Sequence, residues 1–176
     1  MTITENEPRT KQFVLRQEKG DSDYGSCLWA VITFDLDRYS MTAESDCGNY
    51  AYCWVPTPKS ESFLHLMCRI EADYLLGKIS SRSHFNLEQS KTDTLEDLKL
   101  NDYEISNDAI EQINDIDTAS EETFYRECDD ILRGENVMDT FELIGCVKEY
   151  PAGAVKFAEI FVENLQPHLR QLIAPR

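Results

Sequence analysis

The segment ITFDLDRYSM, residues 32–41, decides the fold, because its two carboxylates admit two readings. In one, a hydrophobic strand delivers Asp35 as a nucleophile and Asp37 as its acid/base partner for Mg²⁺-dependent phosphoryl transfer. In the other, Asp35 to Arg38 is the polar tip of a hairpin. The flanks favour the hairpin. Upstream, Leu28, Ala30, Ile32 and Phe34 occupy alternate positions, the period of a strand with one face on a core. Trp29, Val31 and Thr33 between them are also strand formers, which suits a central strand. Downstream, Tyr39 to Glu44 resumes the extended pattern.

Two further strands complete a meander. Phe13 to Gln17 is short and closed by the turn-rich Lys19-Gly20-Asp21-Ser22-Asp23. Asn49 to Val55 places Tyr50, Tyr52 and Trp54 on one face and Ala51, Cys53 and Val55 on the other, after the turn cluster Ser45 to Asn49. Four strands joined by short turns predict an antiparallel sheet. Pro56-Thr57-Pro58 stops the last strand, and Thr57 or Ser60 can cap a helix over about 60–78, whose Phe63, Leu66, Met67, Ile70 and Tyr74 form one apolar stripe. Such a helix covers one face of the sheet.

The remainder reads as helical. Asp93-x-x-Glu96 and Thr118-x-x-Glu121 have capping-box spacing, and Ala109, Ile110, Ile113 and Ile116 make an apolar stripe opposite Glu104, Asp108, Glu111 and Asp115. A helix follows over about Ser120 to Arg133, and the last runs from Ala152 to Asn164, closed by Pro167. The expected class is α+β: a β-meander plus helix core over residues 1–87, an acidic helical region over 88–142, and a C-terminal helix over 143–176 packing back on the core, all in one compact unit. There is no internal repeat.

Charge divides along the same lines. The 176-residue chain carries a formal net charge of -16, with 41% hydrophobic residues to build a core. Residues 88–142 hold 18 acidic and 4 basic side chains, a net of -14, whereas 1–87 carry -3 and 143–176 carry +1. This balance argues against direct nucleic-acid binding, which needs Lys and Arg against phosphates. The apolar runs are too short for a membrane span, and the N-terminus MTITENEPRTKQ lacks the basic and apolar regions of a secretion signal, so the expected location is cytoplasmic. In that compartment the six cysteines are expected as reduced thiols.

The chemical motifs are sparse. His65 and Cys68 share a helix face and could bind zinc with Cys47 or Cys53, although this is not the paired spacing of structural zinc sites. Cys47 lies in a turn but has no assignable catalytic partner. There is no GxGxxG, no phosphate-binding Gly-Lys-Ser/Thr loop and no HExxH, and Asn114-Asp115-Ile116-Asp117 lacks the glycine and glutamate of an EF-hand. No cofactor, metal or catalytic residue is assigned.

The acidic helices remain. A solvated face is the ordinary explanation of a charge run, but the concentration within one segment is the argument for more. Carboxylates one helical turn apart stand about 5.4 Å from each other, a spacing of several ångströms like that of successive phosphates on a strand. Glu96, Asp97, Asp102, Glu104, Asp108, Glu111, Asp115 and Asp117 are the expected partner-binding residues.

Two resemblances enter here. ITFDLD is similar to the nucleophile strand of haloacid-dehalogenase-type phosphatases, but Arg38-Tyr39 stands where that family carries small residues, and the parallel α/β alternation is missing. The stretch Glu44-Ser45-Asp46-Cys47-Gly48-Asn49-Tyr50-Ala51-Tyr52, with Trp54, Pro56-Thr57-Pro58, Glu61-Ser62-Phe63-Leu64 and Tyr74-Leu75-Leu76, resembles a block in small acidic accessory proteins of bacteriophages and prophages. That block covers residues 12–80. The resemblance implies a mobile-element context and favours a host-directed inhibitor; taken with the acidic helices, the expected function is non-enzymatic inhibition, with a host nucleic-acid-binding defence enzyme such as a CRISPR effector as protein partner. The alternatives are a small Mg²⁺-dependent phosphatase using Asp35 and Asp37, and a structural or regulatory phage oligomer, a homodimer for instance, joined through exposed Tyr50, Tyr52 and Trp54.

Overall fold

The computed structural model describes residues 3, 5, 7–21, 24–56 and 62–174. The chain forms two compact units, one of residues 1–81 with 150–176 and one of residues 82–149. The class is α+β.

The first unit is built on a four-stranded antiparallel sheet, β1 (Thr10–Arg16), β2 (Trp29–Asp35), β3 (Ser40–Ser45) and β4 (Gly48–Cys53), in sequential order. Asp35 sits opposite Ser40 and Ala30 opposite Ser45, so the four-residue turn at 36–39 fixes the register of the central hairpin. One face is apolar: Ala30, Ile32, Phe34, Met41 and Ala43 are buried, joined by half-buried Phe13 and Leu15. The other face carries exposed Val14, Trp29, Thr42 and Glu44.

Five helical segments cover the apolar face. α1 (Phe63–Met67) and α2 (Ala72–Ile79) precede the second unit; α7 (Ala152–Ile160), a π-helical turn (Phe161–Leu165) and α8 (Gln166–Ile173) follow it. Buried Phe63, Met67, Leu75, Phe157, Phe161, Leu165 and Leu169 form one cluster with the sheet. Each fully buried aromatic or Leu contributes about 1.5–3 kcal/mol of transfer free energy.

Three sequence expectations need correction here. The 60–78 helix is broken between Met67 and Ala72, and Tyr74 is exposed while Leu75 and Leu76 face inward. The break is stable because the C-terminal helix supplies donors to its free carbonyls: Gln166 Nε2 donates to Met67 O at 3.0 Å and Ile70 O at 2.6 Å, and Arg170 Nε donates to Cys68 O at 3.1 Å. The α1 N-cap is Ser62; the caps assigned to Thr57 and Ser60 lie outside the described residues. Nor does Pro167 end the last helix. It stands in the first turn of α8, directly after the π-helical turn, whose wider ladder accommodates a ring that would otherwise crowd the carbonyl of Glu163.

The third correction concerns the aromatics of β4. Trp54 is buried, and Tyr50 and Tyr52 are half-buried on the core side, with Tyr50 4.7 Å from Phe157 and Trp54 5.5 Å from Phe63 between ring centroids. They pack on the core of this unit, against the expectation that all three are exposed.

The second unit contains β5 (His84–Phe85), α3 (Leu87–Leu100), α4 (Asn107–Asp115), α5 (Glu121–Gly134), α6 (Thr140–Leu143) and β6 (Lys148–Glu149), with β5 and β6 paired antiparallel. Its own core gathers Leu98, Ile113, Ile116, Phe124, Cys128, Leu132 and Leu143. Buried Ser90 and Thr94 donate to the carbonyls one turn back and accept the amides of Val147 and Gly145, which ties the return strand to α3. Among the described residues no helix is long and apolar enough to cross a membrane.

Gln166→Ala strands two buried carbonyls at once, and we expect a loss of about 2–4 kcal/mol in urea unfolding, against under about 1 kcal/mol for Gln171→Ala on the exposed side of α8. Gly153→Ala is also destabilising, although alanine is the better helix former, because its Cβ would overlap the carbonyl oxygen of Cys47.

Candidate partner-binding surface

The acidic surface is carried by α3, α4, α5 and their connections. α3 starts earlier than the sequence suggests: its N-cap is Asn86, whose side chain accepts Gln89 N–H, so Asp93 lies inside the helix and accepts from Gln89 Nε2 at 2.7 Å. For α5 the cap is Ser120, accepting Thr123 N–H, while Thr118 Oγ1 accepts the Ser120 amide. In both cases the capping residue is the one whose side chain reaches the orphan amide, and the expected pairs Asp93–Glu96 and Thr118–Glu121 do not act as capping boxes.

α4 follows its pattern closely. Ala109, Ile113 and Ile116 are buried; Asp108, Glu111 and Asp115 are exposed. Its start is fixed by Ser106, whose Oγ accepts Ala109 N–H at 3.1 Å while its own amide and hydroxyl donate to the Glu135 carboxylate at 2.9 and 2.7 Å. Those two bonds hold the Glu135 carboxyl below the usual glutamate range. Lys91, buried along its stem, joins α3 to α4 by donating to Asn114 O at 2.8 Å and to Glu88 at 3.1 Å.

The eight residues singled out from the sequence all fall in the second unit. Glu96 and Asp97 are on α3; Asp102, with a left-handed φ of 58°, and Glu104 lie in the connection; Asp108, Glu111 and Asp115 are on α4; and Asp117 follows it. Asp97 is half-buried and the other seven are exposed. None of the eight makes an ion pair among the described residues. The cations Lys91, Arg133 and Lys148 pair instead with Glu88, Asp129 and Glu121. Over residues 82–149 there are 19 acidic and 6 basic side chains, a net of -13.

Sequence reasoning missed an apolar feature of this unit. Leu100, Met138 and Phe141 are 79%, 80% and 81% exposed, and Met138 and Phe141 alternate with Asp139 and Glu142. Periodicity offers no signal for them, because Leu100 ends α3, Met138 precedes α6 and Phe141 lies in its four residues, too short a stretch to define a face.

The other candidates have structural positions. Asp35 Oδ1 accepts the amides of Asp37 and Arg38 at 3.0 and 2.9 Å, closing the hairpin turn, and Tyr39 completes it at a positive φ of 55°. Asp37 accepts the backbone amide and guanidinium of Arg9, bonds that lower its pKa. Both carboxylates are engaged in holding strands together. His65 Nδ1 is bonded to Ser62 Oγ at 2.6 Å and Cys68 is buried in the core, so the suggested His65–Cys68 zinc pair is not assembled. Burial pushes the Cys128 thiol up to about 12 and leaves it without nucleophilic character at neutral pH.

Cys27 and Cys47 depart from the expectation of reduced thiols: they are joined as a disulfide, with Cα atoms 5.6 Å apart. Sequence reasoning left Cys27 without a partner; extended past the ladder, the register that pairs Ala30 with Ser45 sets Cys27 against Gly48, and the bond to the adjacent Cys47 is made where the chain turns from β3 into β4.

A family model described as a phage family matches residues 1–171. The chain belongs to this phage family. The match includes the acidic unit as well as the sheet, so it extends well beyond the sequence block at 12–80. Neither the curated proteins nor the solved structures contain a significant match to the chain.

Removing the cap with Ser106→Ala should cost about 1 kcal/mol in denaturant unfolding. The Glu135 bond has a defined pH signature. With its pKa depressed in the folded state, its stabilisation is complete above the ordinary glutamate pKa of about 4.3 and is lost as pH falls through the folded value. We expect the acid limb of the stability profile to be shallower in Glu135→Gln than in the wild type.

Proposed function

We propose that this phage-family protein is a non-enzymatic inhibitor that binds a host nucleic-acid-processing defence enzyme, with a CRISPR effector as the candidate class, through the acidic surface of residues 82–149. The observation that carries this reading is the set of exposed carboxylates without cation partners on α4 and around it. An enzyme that binds nucleic acid presents a groove of Lys and Arg, and a folded array of carboxylates can occupy that groove in place of phosphates. Complementary charge accelerates encounter and makes association salt-sensitive.

Exposed Met138 and Phe141 support a protein partner over a merely solvated face. Met and Phe are enriched where protein interfaces form, and charges alone supply less affinity than specificity. In this reading the carboxylates steer and orient, while Phe141 and Met138 anchor.

A tagged pull-down from bacterial lysate at low and high salt, followed by binding kinetics on the retained enzyme, tests the proposal. We expect one DNA- or RNA-processing enzyme, displaced by its own nucleic acid. The combined Glu104→Gln, Asp108→Asn, Glu111→Gln and Asp115→Asn variant should associate about tenfold or more slowly and lose much of its salt dependence. Phe141→Ala should mainly raise the dissociation rate. Unchanged association in the four-fold variant would sink the reading.

A further inference from the structure

We propose that Cys27, Asp46 and Cys47, with the two thiols reduced, form a binding site for a thiophilic divalent cation, Zn²⁺ being the ion whose preferences match. The two Sγ atoms, bonded to each other here as a cystine, and a carboxylate oxygen of Asp46 all lie within 4.8 Å of one another, so reduction leaves three donors clustered at one place, where a small separation of the sulfurs lets them share an ion. The set is independent of the acidic surface and lies wholly in the sheet unit.

The fold fixes these side chains before any ion arrives. Cys27 leads into β2 and Asp46 and Cys47 make the β3–β4 turn, which the β2–β3 register places side by side. The turn is braced three ways. Ser45 Oγ donates to Gly48 O at 2.6 Å, Tyr50 Oη donates to Cys47 O at 2.7 Å, and Gly153 of α7 rests on the Cys47 carbonyl with no room for a Cβ. Asp46 is oriented by the amides of Leu28 at 2.8 Å and Trp29 at 3.4 Å, an outer shell of the kind that holds a ligating carboxylate in place.

Electrostatics sets the choice of occupant. Two thiolates and a carboxylate gathered at one place repel one another. A divalent ion resolves the repulsion and displaces both thiol protons on binding. Sulfur donors select a soft or borderline ion over Mg²⁺ or Ca²⁺. Three protein ligands leave a fourth position for water or a further donor; of the three, Cys27 also lines a cavity of about 720 Å³ shared with Arg16, Asp21, Asn164 and His168. Cystine and metal site are mutually exclusive, since oxidation removes two electrons and two protons from the same pair.

The test is a Co²⁺ titration of the full chain after treatment with a phosphine reductant under anaerobic conditions. We expect near-stoichiometric uptake with thiolate-to-cobalt charge-transfer absorption, displacement by Zn²⁺, and slower cystine formation in air when Zn²⁺ is bound. Cys27→Ser and Cys47→Ser should abolish the charge-transfer band and Asp46→Asn should weaken binding about tenfold or more, while Cys53→Ser and Cys146→Ser leave it unchanged. Should reduction unfold the sheet unit, recovery of its circular dichroism on adding Zn²⁺ supports the site and failure to recover overturns it. If the reduced protein stays folded and takes up no more Co²⁺ than the Cys27→Ser/Cys47→Ser double variant, the pair is a cystine alone and the inference is wrong.

Discussion

One carboxamide holds the first unit together. Gln166 is 1% exposed, and its amide nitrogen donates to two carbonyls freed where the chain leaves α1, while its oxygen accepts from Arg170 at 2.9 Å. The partners are 99 and 96 positions away. A buried break in a helix is stable only when its free backbone groups are met, so α1 and α2 can change direction under the sheet because α8 comes to that point. The sheet is drawn from residues 10–53, yet the helices that seal it are completed by the last quarter of the chain.

That arrangement makes the intervening unit more than a passenger. Residues 82–149 separate α2 from α7, and closing so long a loop costs only a slowly growing entropy. A segment that folds on its own local contacts reduces the cost further, because its ends are then joined by a structured body. Pairing of β5 with β6, backed by the bonds from Ser90 and Thr94 to the return strand, brings the entry and exit of that body together. The sheet unit can therefore be assembled from two distant pieces of sequence.

The meander was legible because its signal is local. Alternation in 28–34 and 49–55 and the turn at Asp35 to Arg38 specify the strands and their antiparallel order with no reference to the rest of the chain, whereas the side of the sheet that is covered is not specified locally. The α4 stripe and the exposure of Asp108, Glu111 and Asp115 were legible for the same reason. What the sequence hid depends on distant partners. The break after Met67 requires Gln166, the inward turn of Tyr50 and Trp54 requires Phe157 and Phe63, and the passage of the last helix through Pro167 requires a π-helical turn that no periodicity announces. Cys27 and Cys47 are an intermediate case: the hairpin register extended past the ladder brings Cys27 to the turn that holds Cys47, but opposite Gly48. The candidate surface was visible as charge, but Met138 and Phe141 within the same unit were not, since exposure of an apolar side chain is a tertiary property.

The charges of α4 depart from those of a helix arranged for stability alone. A helix selected for stability alone places cations near its C-terminus, where the macrodipole is negative, and intersperses them at i+4 along its exposed face. Over Asn107–Asp115 there is no cation, and Asp115 stands in the last turn against the dipole, a choice disfavoured by roughly 0.3–1 kcal/mol. Asp108 at the first turn has the favourable sign, so the helix is not indifferent to charge. The neighbouring Lys91 could have relieved the repulsion, but its amine is turned inward to the carbonyl of Asn114 and to Glu88, joining α3 to α4 and leaving the carboxylates on the outer face uncompensated. A position that breaks a local stability rule with no local gain is where selection for something other than stability is to be sought. Here that position lies within the surface proposed to meet a basic partner.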